Sequence, residues 1–286
     1  MKAFLECVPC VLNQVVEVIQ RQALSLDRKE SILKSVMAEL QKQPISKLSP
    51  PELTQQAHKI LHKFIAKEDF YKEIKEQTNR EALELFPRLE KIVKNAKDPL
   101  LTSMKLAIAG NVIDYGPAHR MDVMQTIDRV LKAELKSDHY KKFIKSLRNA
   151  KKVLYVADNA GEIVFDKLLI QQLLDRGIAV VVAVKSKPIL NDVTMPDAKA
   201  AGLDQMGVNI IKSGSETAGT MFEDTASEFK KIFNEADLVI AKGQGNFETL
   251  KRDPGVFFLL MVKCPHLALA SGLKAGDMVL WNKAAK

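Results

Sequence analysis

The chain is poor in cysteine and in aromatic residues and contains no long apolar run, and each shortage removes a class of protein. Three cysteines and one tryptophan occur among 286 residues, too few for a disulfide framework. No stretch stays apolar over the roughly 20 residues that a membrane-spanning helix requires. The first residues, MKAFLECVPC, also lack the charged, apolar and small-residue layout of a secretory signal. A cytoplasmic protein with no membrane partner is therefore expected. Three nucleotide and hydrolase signatures are missing as well. There is no GxxxxGK[ST] loop, no GxSxG elbow and no GxGxxG turn, which argues against P-loop hydrolysis, a serine nucleophile and dinucleotide binding.

What is present is an ordinary globular balance, 47% hydrophobic and 27% charged residues. The formal net charge of +8 comes mostly from lysines scattered along helical segments, without an arginine-rich block or an aromatic RNA-binding pattern. Solvated helix faces explain it, and a nucleic-acid partner is not expected. Two structural units are expected from the length.

Residues 1–150 read as a helical domain. Segments near 6–22, 28–43, 51–66, 69–96, 98–109, 121–136 and 138–149 carry apolar residues at three-and-four spacing. Pro87 is expected to kink or split the fourth. Cys7 and Cys10 form a CxxC pair at the start of the first helix, with Cys264 far away in sequence. Small half-buried residues at a helix start explain the pair best, and a redox or metal role stays open. His58 and His62 lie four residues apart on one helix face among Gln and Lys, so exposed histidines are expected rather than a metal pair. The stretch AIAGNVIDYGPAHR, from Ala107 to Arg120, departs from the amphipathic pattern, and either an Asx-type turn or a site fits it.

After Ala150 the period changes. Strands near 152–157, 178–184, 207–211, 237–241 and 256–262, with a short one at 278–281, alternate with helices near 161–175, 196–204 and 222–235. That rhythm predicts an α/β protein in which residues 151–286 form a Rossmann-like three-layer α/β/α domain with a mostly parallel sheet. The amino-terminal helical domain packs on it. Each expected strand ends in polar residues. Asp158 and Asn159 follow the first, Lys185, Asn191 and Asp192 the second, Lys242, Gly243 and Asn246 the fourth, and Lys263 the fifth. Strand carboxyl ends share one edge, where ligands of open sheets bind. Two carboxylates and an amide would hold a hard cation there, beside lysines for phosphate oxygens. Around Gly161 and Glu162 the first helical turn would offer backbone N–H groups to an anion. The competing reading is that Asp158 or Asn159 merely caps that helix.

The set GNVID from Gly110, DNAGE from Asp158, LNDV from Leu190, KGQGNFE from Lys242 and LLMVKC from Leu259 resembles the damage-control, metal-dependent phosphatase family, long known as domain of unknown function 89. With the CVPC segment the resemblance spans nearly the whole chain and points to the compact prokaryotic or archaeal type. It implies a divalent-metal phosphatase acting on a small phosphorylated metabolite, such as a sugar phosphate or a damaged phosphometabolite. Asp158, Asn159 and Asp192 would bind manganese, cobalt, nickel or magnesium, and Lys263 would contact phosphate. Lys242, Asn246, Gly161, Glu162 and Asn111 would line the phosphate site, and Asp114 would orient water or a substrate hydroxyl. Gln244 departs from larger members, which carry an acidic residue there. An S-adenosylmethionine-dependent carboxyl methyltransferase and a basic binding module are the alternatives. No oligomeric state follows from the sequence.

Overall fold

The computed structural model describes residues 1–110, 120–250 and 252–283. Helices come first: α1 (Cys7–Gln20), α2 (Leu26–Lys42), α3 (Pro50–Phe64), α4 (Lys72–Lys94), α5 (Pro99–Ala109) and α6 (Arg120–Lys132). A short strand β1 (Lys136–Asp138) and α7 (Tyr140–Leu147) lead into the alternating half. That half runs β2 (Lys152–Val156), α8 (Glu162–Leu174), β3 (Ala179–Val184), α9 (Met195–Ala200), β4 (Asn209–Lys212), α10 (Ser227–Glu235), β5 (Leu238–Lys242), α11 (Gly243–Thr249), β6 (Val256–Met261), α12 (Pro265–Ser271) and β7 (Met278–Asn282).

Local chemistry explains several helix starts. Ser49 and Glu52 form a reciprocal capping box, with Ser49 N donating to Glu52 Oε2 at 2.7 Å and prolines filling the first turn of α3. Asp98 accepts from Leu101 N at 3.0 Å to start α5. Of the two outcomes expected at Pro87, a split does not occur: α4 runs on through it. Its packing against α5 and α8 outweighs the lost backbone bond.

Among the described residues the sheet has seven strands in the order β1-β7-β6-β5-β2-β3-β4. From β6 to β4 all pairs are parallel, whereas β7 is antiparallel to β6 and β1 runs parallel to β7. One face, carrying Tyr155, Val182, Ile240 and Leu259, packs on α4–α8. The other, carrying Leu154, Val181, Val239 and Phe258, packs on α10, α11 and α12. Alternate residues of each strand thus enter different cores, the period-two signature of a sheet covered on both sides.

Apolar residues from Ala3 to Tyr71 form a core of their own, while Ala82 to Leu147 share one with the sheet. The expected helix over 121–136 ends at Lys132, and residues 136–138 pair with β7 instead. Sequence periodicity could not reveal that pairing, because its partner lies some 140 residues away. Helices α11 and α12 were also unexpected; each is 7 residues long, too short to show a helical period.

Candidate active site

In the parallel part of the sheet, β2 and β5 are neighbours from which the chain winds in opposite directions, to β3 on one side and β6 on the other. Between two such strands the outgoing loops diverge and leave a crevice. A cleft of about 760 Å³ opens there. Its wall includes Asp158 and Asn159 from the end of β2, Asp192 from the loop after β3, Gln244 from α11 and Lys263 from the end of β6.

Backbone bonds lock the two acidic loops together. Val193 N donates to Asp158 O at 2.8 Å and Ala160 N to Asn191 O at 2.9 Å, so Asp192 is carried next to Asn159 as an isolated antiparallel bridge. Leu190 in this loop has φ 47°, a left-handed conformation uncommon for a branched side chain. On the opposite side Gly243, at φ 78°, lies against the carboxylate: a Cβ there would fall 1.9 Å from Asp158 Oδ2. Only glycine allows that approach. Neither Asp158 nor Asn159 caps the following helix. The N-cap of α8 is Gly161, with no side-chain cap bond.

Asn159 Nδ2 donates to Asp158 Oδ2 at 2.7 Å and to Glu162 Oε2 at 3.1 Å. The amide nitrogen is thus held by two carboxylates. Burial, then the nearby Glu162 and Asp192 carboxylates, push the Asp158 carboxyl well above its ordinary range, with Lys263 and Lys185 opposing. Asp192 is pushed up to about 6, mainly by burial. Its Oδ2 lies 3.4 Å from Lys185 Nζ, and no hydrogen bond closes on that oxygen. The wall therefore gathers two carboxyl groups in a desolvated place that disfavours their ionised forms.

Directly beneath it two carboxylates share one lysine. Lys242 Nζ is fully buried and donates to Glu162 Oε1 at 2.5 Å, Asp166 Oδ1 at 2.7 Å and Ala107 O at 2.8 Å. Burial alone would lower the lysine, but Asp166 and Glu162 hold it above its ordinary value. Asp166 sits near 7, raised by burial and restrained by Lys242.

Four residues expected at the phosphate site stand behind the wall rather than on it. The Gly161 N–H, expected to meet an anion, donates to Asn79 Oδ1 at 2.6 Å. Lys242 has its donors engaged internally, and Glu162 is 1% exposed between Asn159 and Lys242. Asn246 is buried, donating to Ala157 O at 3.2 Å and Lys242 O at 2.8 Å while accepting from Thr220 Oγ1 at 2.8 Å. It straps α11 to the strand ends. Asn111 and Asp114 lie outside the described residues. His58, expected exposed, is buried against Phe70, and only His62 is exposed. No sequence pattern marked Asn79, which reaches from α4 to Gly161 and to Asp197 O. Nor did any show that Cys264 shares the cleft wall with Cys7 and Cys10.

The donors fit a hard divalent cation. Two buried carboxylates and an amide oxygen are the ligand types such ions take, and one carboxylate oxygen, Asp192 Oδ2, lacks a hydrogen-bond partner. No cluster of three His, Cys, Asp or Glu side chains able to enclose a metal occurs among the described residues; here the third donor would be the amide of Asn159.

The switch-point cleft, its acidic wall and the lysine after β6 belong to a phosphatase family. A family described as damage-control phosphatase ARMT1-like domain matches residues 3–279, and the chain is a member of it. It is similar to the damage-control phosphatase of Pyrococcus horikoshii, at 32% identity over the whole of both chains. An uncharacterized protein of Methanocaldococcus jannaschii is 36% identical over 97% of this chain and 94% of its own. The crystal structure of a DUF89 family protein from Pyrococcus horikoshii superposes with a TM-score of 0.88 at 31% identity, covering 99% of this chain and 100% of that one.

Proposed function

We propose that the chain is a divalent-metal-dependent phosphatase that hydrolyses small phosphorylated metabolites, sugar phosphates or damaged phosphometabolites, in the cleft between β2 and β5. The observation that carries this reading is the pair of buried carboxyl groups of Asp158 and Asp192, brought together with Asn159 and lining one cleft with Lys263, at the topological switch point of a phosphatase-family fold. Asp158, Asn159 and Asp192 would hold the ion. Polarisation of the phosphoryl oxygens and activation of a water are the chemistry that manganese, cobalt, nickel or magnesium supplies when bound.

The chain's own groups do the rest. Lys263 neutralises charge on the phosphoryl group as it transfers. Asn159 is kept in one amide orientation by Glu162, whose other oxygen is tied to Lys242. Gly243 lets the loop after β5 close on Asp158 without displacing it. Glu162, Lys242 and Asn246 act through these neighbours and are positioning residues.

The test is hydrolysis of an aryl phosphate, then of a sugar-phosphate panel, by chelator-stripped protein with and without each cation. Activity that needs the cation and disappears in Asp158→Ala and Asp192→Ala is expected. Equal rates in stripped and reloaded protein, or a fully active Asp158→Ala variant, would overturn the proposal.

A further inference from the structure

We infer that Gln244 is the positioning residue for Lys263, acting as a clamp between α11 and the loop that carries the lysine. The geometry stands by itself, and the consequence for phosphate binding rests on the phosphatase reading.

Gln244 occupies the first turn of α11 and lines the cleft. Its Nε2 donates to Glu248 Oε1 at 2.7 Å, one helical turn further on. That bond fixes which way the amide faces. Its Oε1 then receives two consecutive backbone N–H groups, from Lys263 at 3.4 Å and Cys264 at 3.3 Å. Two donors on one oxygen define the direction of the loop, not only its distance.

The loop is short and held from both sides. On the side away from the cleft, Val262 N donates to Asp277 O at 2.9 Å and Gly276 N to Val262 O at 2.8 Å. On the cleft side Gln244 supplies the hold. Cys264 is the N-cap of α12, so the chain turns into a helix one residue after the lysine. Lys263 itself is exposed, and its charge acts on Asp158 across the cleft. A long flexible side chain of this kind is aimed by where its Cα is held. The clamp sets that point.

An amide is the group this place requires. It donates to Glu248 and accepts from the loop at once, which neither a carboxylate nor an aliphatic side chain does. Glu248 is largely buried, lifted to about 7 chiefly by that burial, and its bond from Gln244 is part of what holds it down. Glu248 therefore supports Gln244 from below, and Gln244 supports the lysine loop. The acceptor at 244 meets backbone, so its effect falls on Lys263 rather than on substrate directly.

Gln244→Leu tests the clamp through three readouts on the full chain: inhibition by inorganic phosphate, the split between kcat and KM, and amide hydrogen exchange at Lys263 and Cys264. Phosphate affinity is expected to weaken about 5- to 10-fold, the scale of one or two modest hydrogen bonds, with KM rising in step and kcat falling as well, because Lys263 also acts on the phosphoryl group as it transfers. Exchange at the two amides is expected to quicken. Lys263→Ala weakens phosphate binding on its own, and in the double variant the losses do not add, because the clamp works only through the lysine. Additive losses, or unchanged exchange at both amides in Gln244→Leu, would overturn the clamp. A wild-type chain with no affinity for phosphate would overturn the phosphatase reading instead, and the exchange result would still decide whether the loop is clamped.

Discussion

Two layers of buried charge lie one above the other at the carboxyl edge of the sheet, and they are built on opposite principles. In the lower layer every cation meets its anions: Lys242 touches Glu162 and Asp166 and sits well inside the core. In the upper layer Asp158 and Asp192 have Lys185 and Lys263 as partial counter-charges; their carboxyls, like that of Asp166 below, are held above the ordinary range, but Asp166 has a hydrogen bond from its lysine whereas Asp192 Oδ2 has none. A protein gains nothing in stability from buried like charges. In the proposed function a cation offsets them, and the layer beneath, through Glu162 and Asn159, holds them in place. The amino-terminal bundle offers a third case. There His58 is buried with no hydrogen-bond partner on either ring nitrogen, and burial depresses it from 6.5 to about 4.

The comparison can be broken from several directions. The largest stability effect is expected from Lys242→Met, which leaves two carboxylates buried without their cation. A loss of about 3–5 kcal/mol is the scale of such a break, read by denaturant unfolding. A near-neutral result would mean that the lower layer is not the support described. In the upper layer the sign reverses. Asp158→Asn is expected to cut phosphatase turnover by roughly 100- to 1,000-fold while raising the stability of the metal-free chain by about 1 kcal/mol, as relief of strain at a functional site does. Thermal unfolding of the stripped protein checks the second part. A drop in melting temperature would show that the carboxylate is structural.

The bundle supplies the pH arm. His58 is neutral in the folded chain down to about 4 but protonates near 6.5 when unfolded. Its penalty is absent above 6.5, grows as the pH falls, and is complete below about 4, reaching roughly 3 kcal/mol. His58→Leu is expected to flatten unfolding stability across that window, and an unchanged slope would refute the assignment. A smaller effect is expected at Asn79, whose amide joins α4 to Gly161 and Asp197. Asn79→Leu removes both bonds, and a loss of about 2 kcal/mol is the ordinary scale for a pair of buried hydrogen bonds. Circular dichroism melts would detect it.

The strands β2 to β7 and the helices α8, α9 and α10 among them were legible in the sequence, because short β-branched runs and helical spacing repeat from Lys152 onward. So was the set Asp158, Asn159, Asp192 and Lys263, since polar residues placed just after buried strands must gather at one edge of a parallel sheet. The depth of each residue was not legible. Lys242 and Asn246 look like ligand-facing groups in a line of text, and only the packing of α8 and α11 shows that their donors are already engaged. Gly161 likewise belongs to a helix N-terminus that local reading offers to an anion, until Asn79 arrives from more than 80 residues away.

By itself, then, the sequence determined which residues end each strand and hence which chemistry collects at the sheet edge, because strand period and chain order are local properties. Tertiary structure decided which of those groups face the cleft and which lie under it. It also decided that β1 closes the sheet, that three cysteines meet on one wall, and that Gln244 reaches the loop of Lys263. Those outcomes depend on contacts between segments far apart in the chain, where burial and counter-charge are set by the partner rather than by the residue.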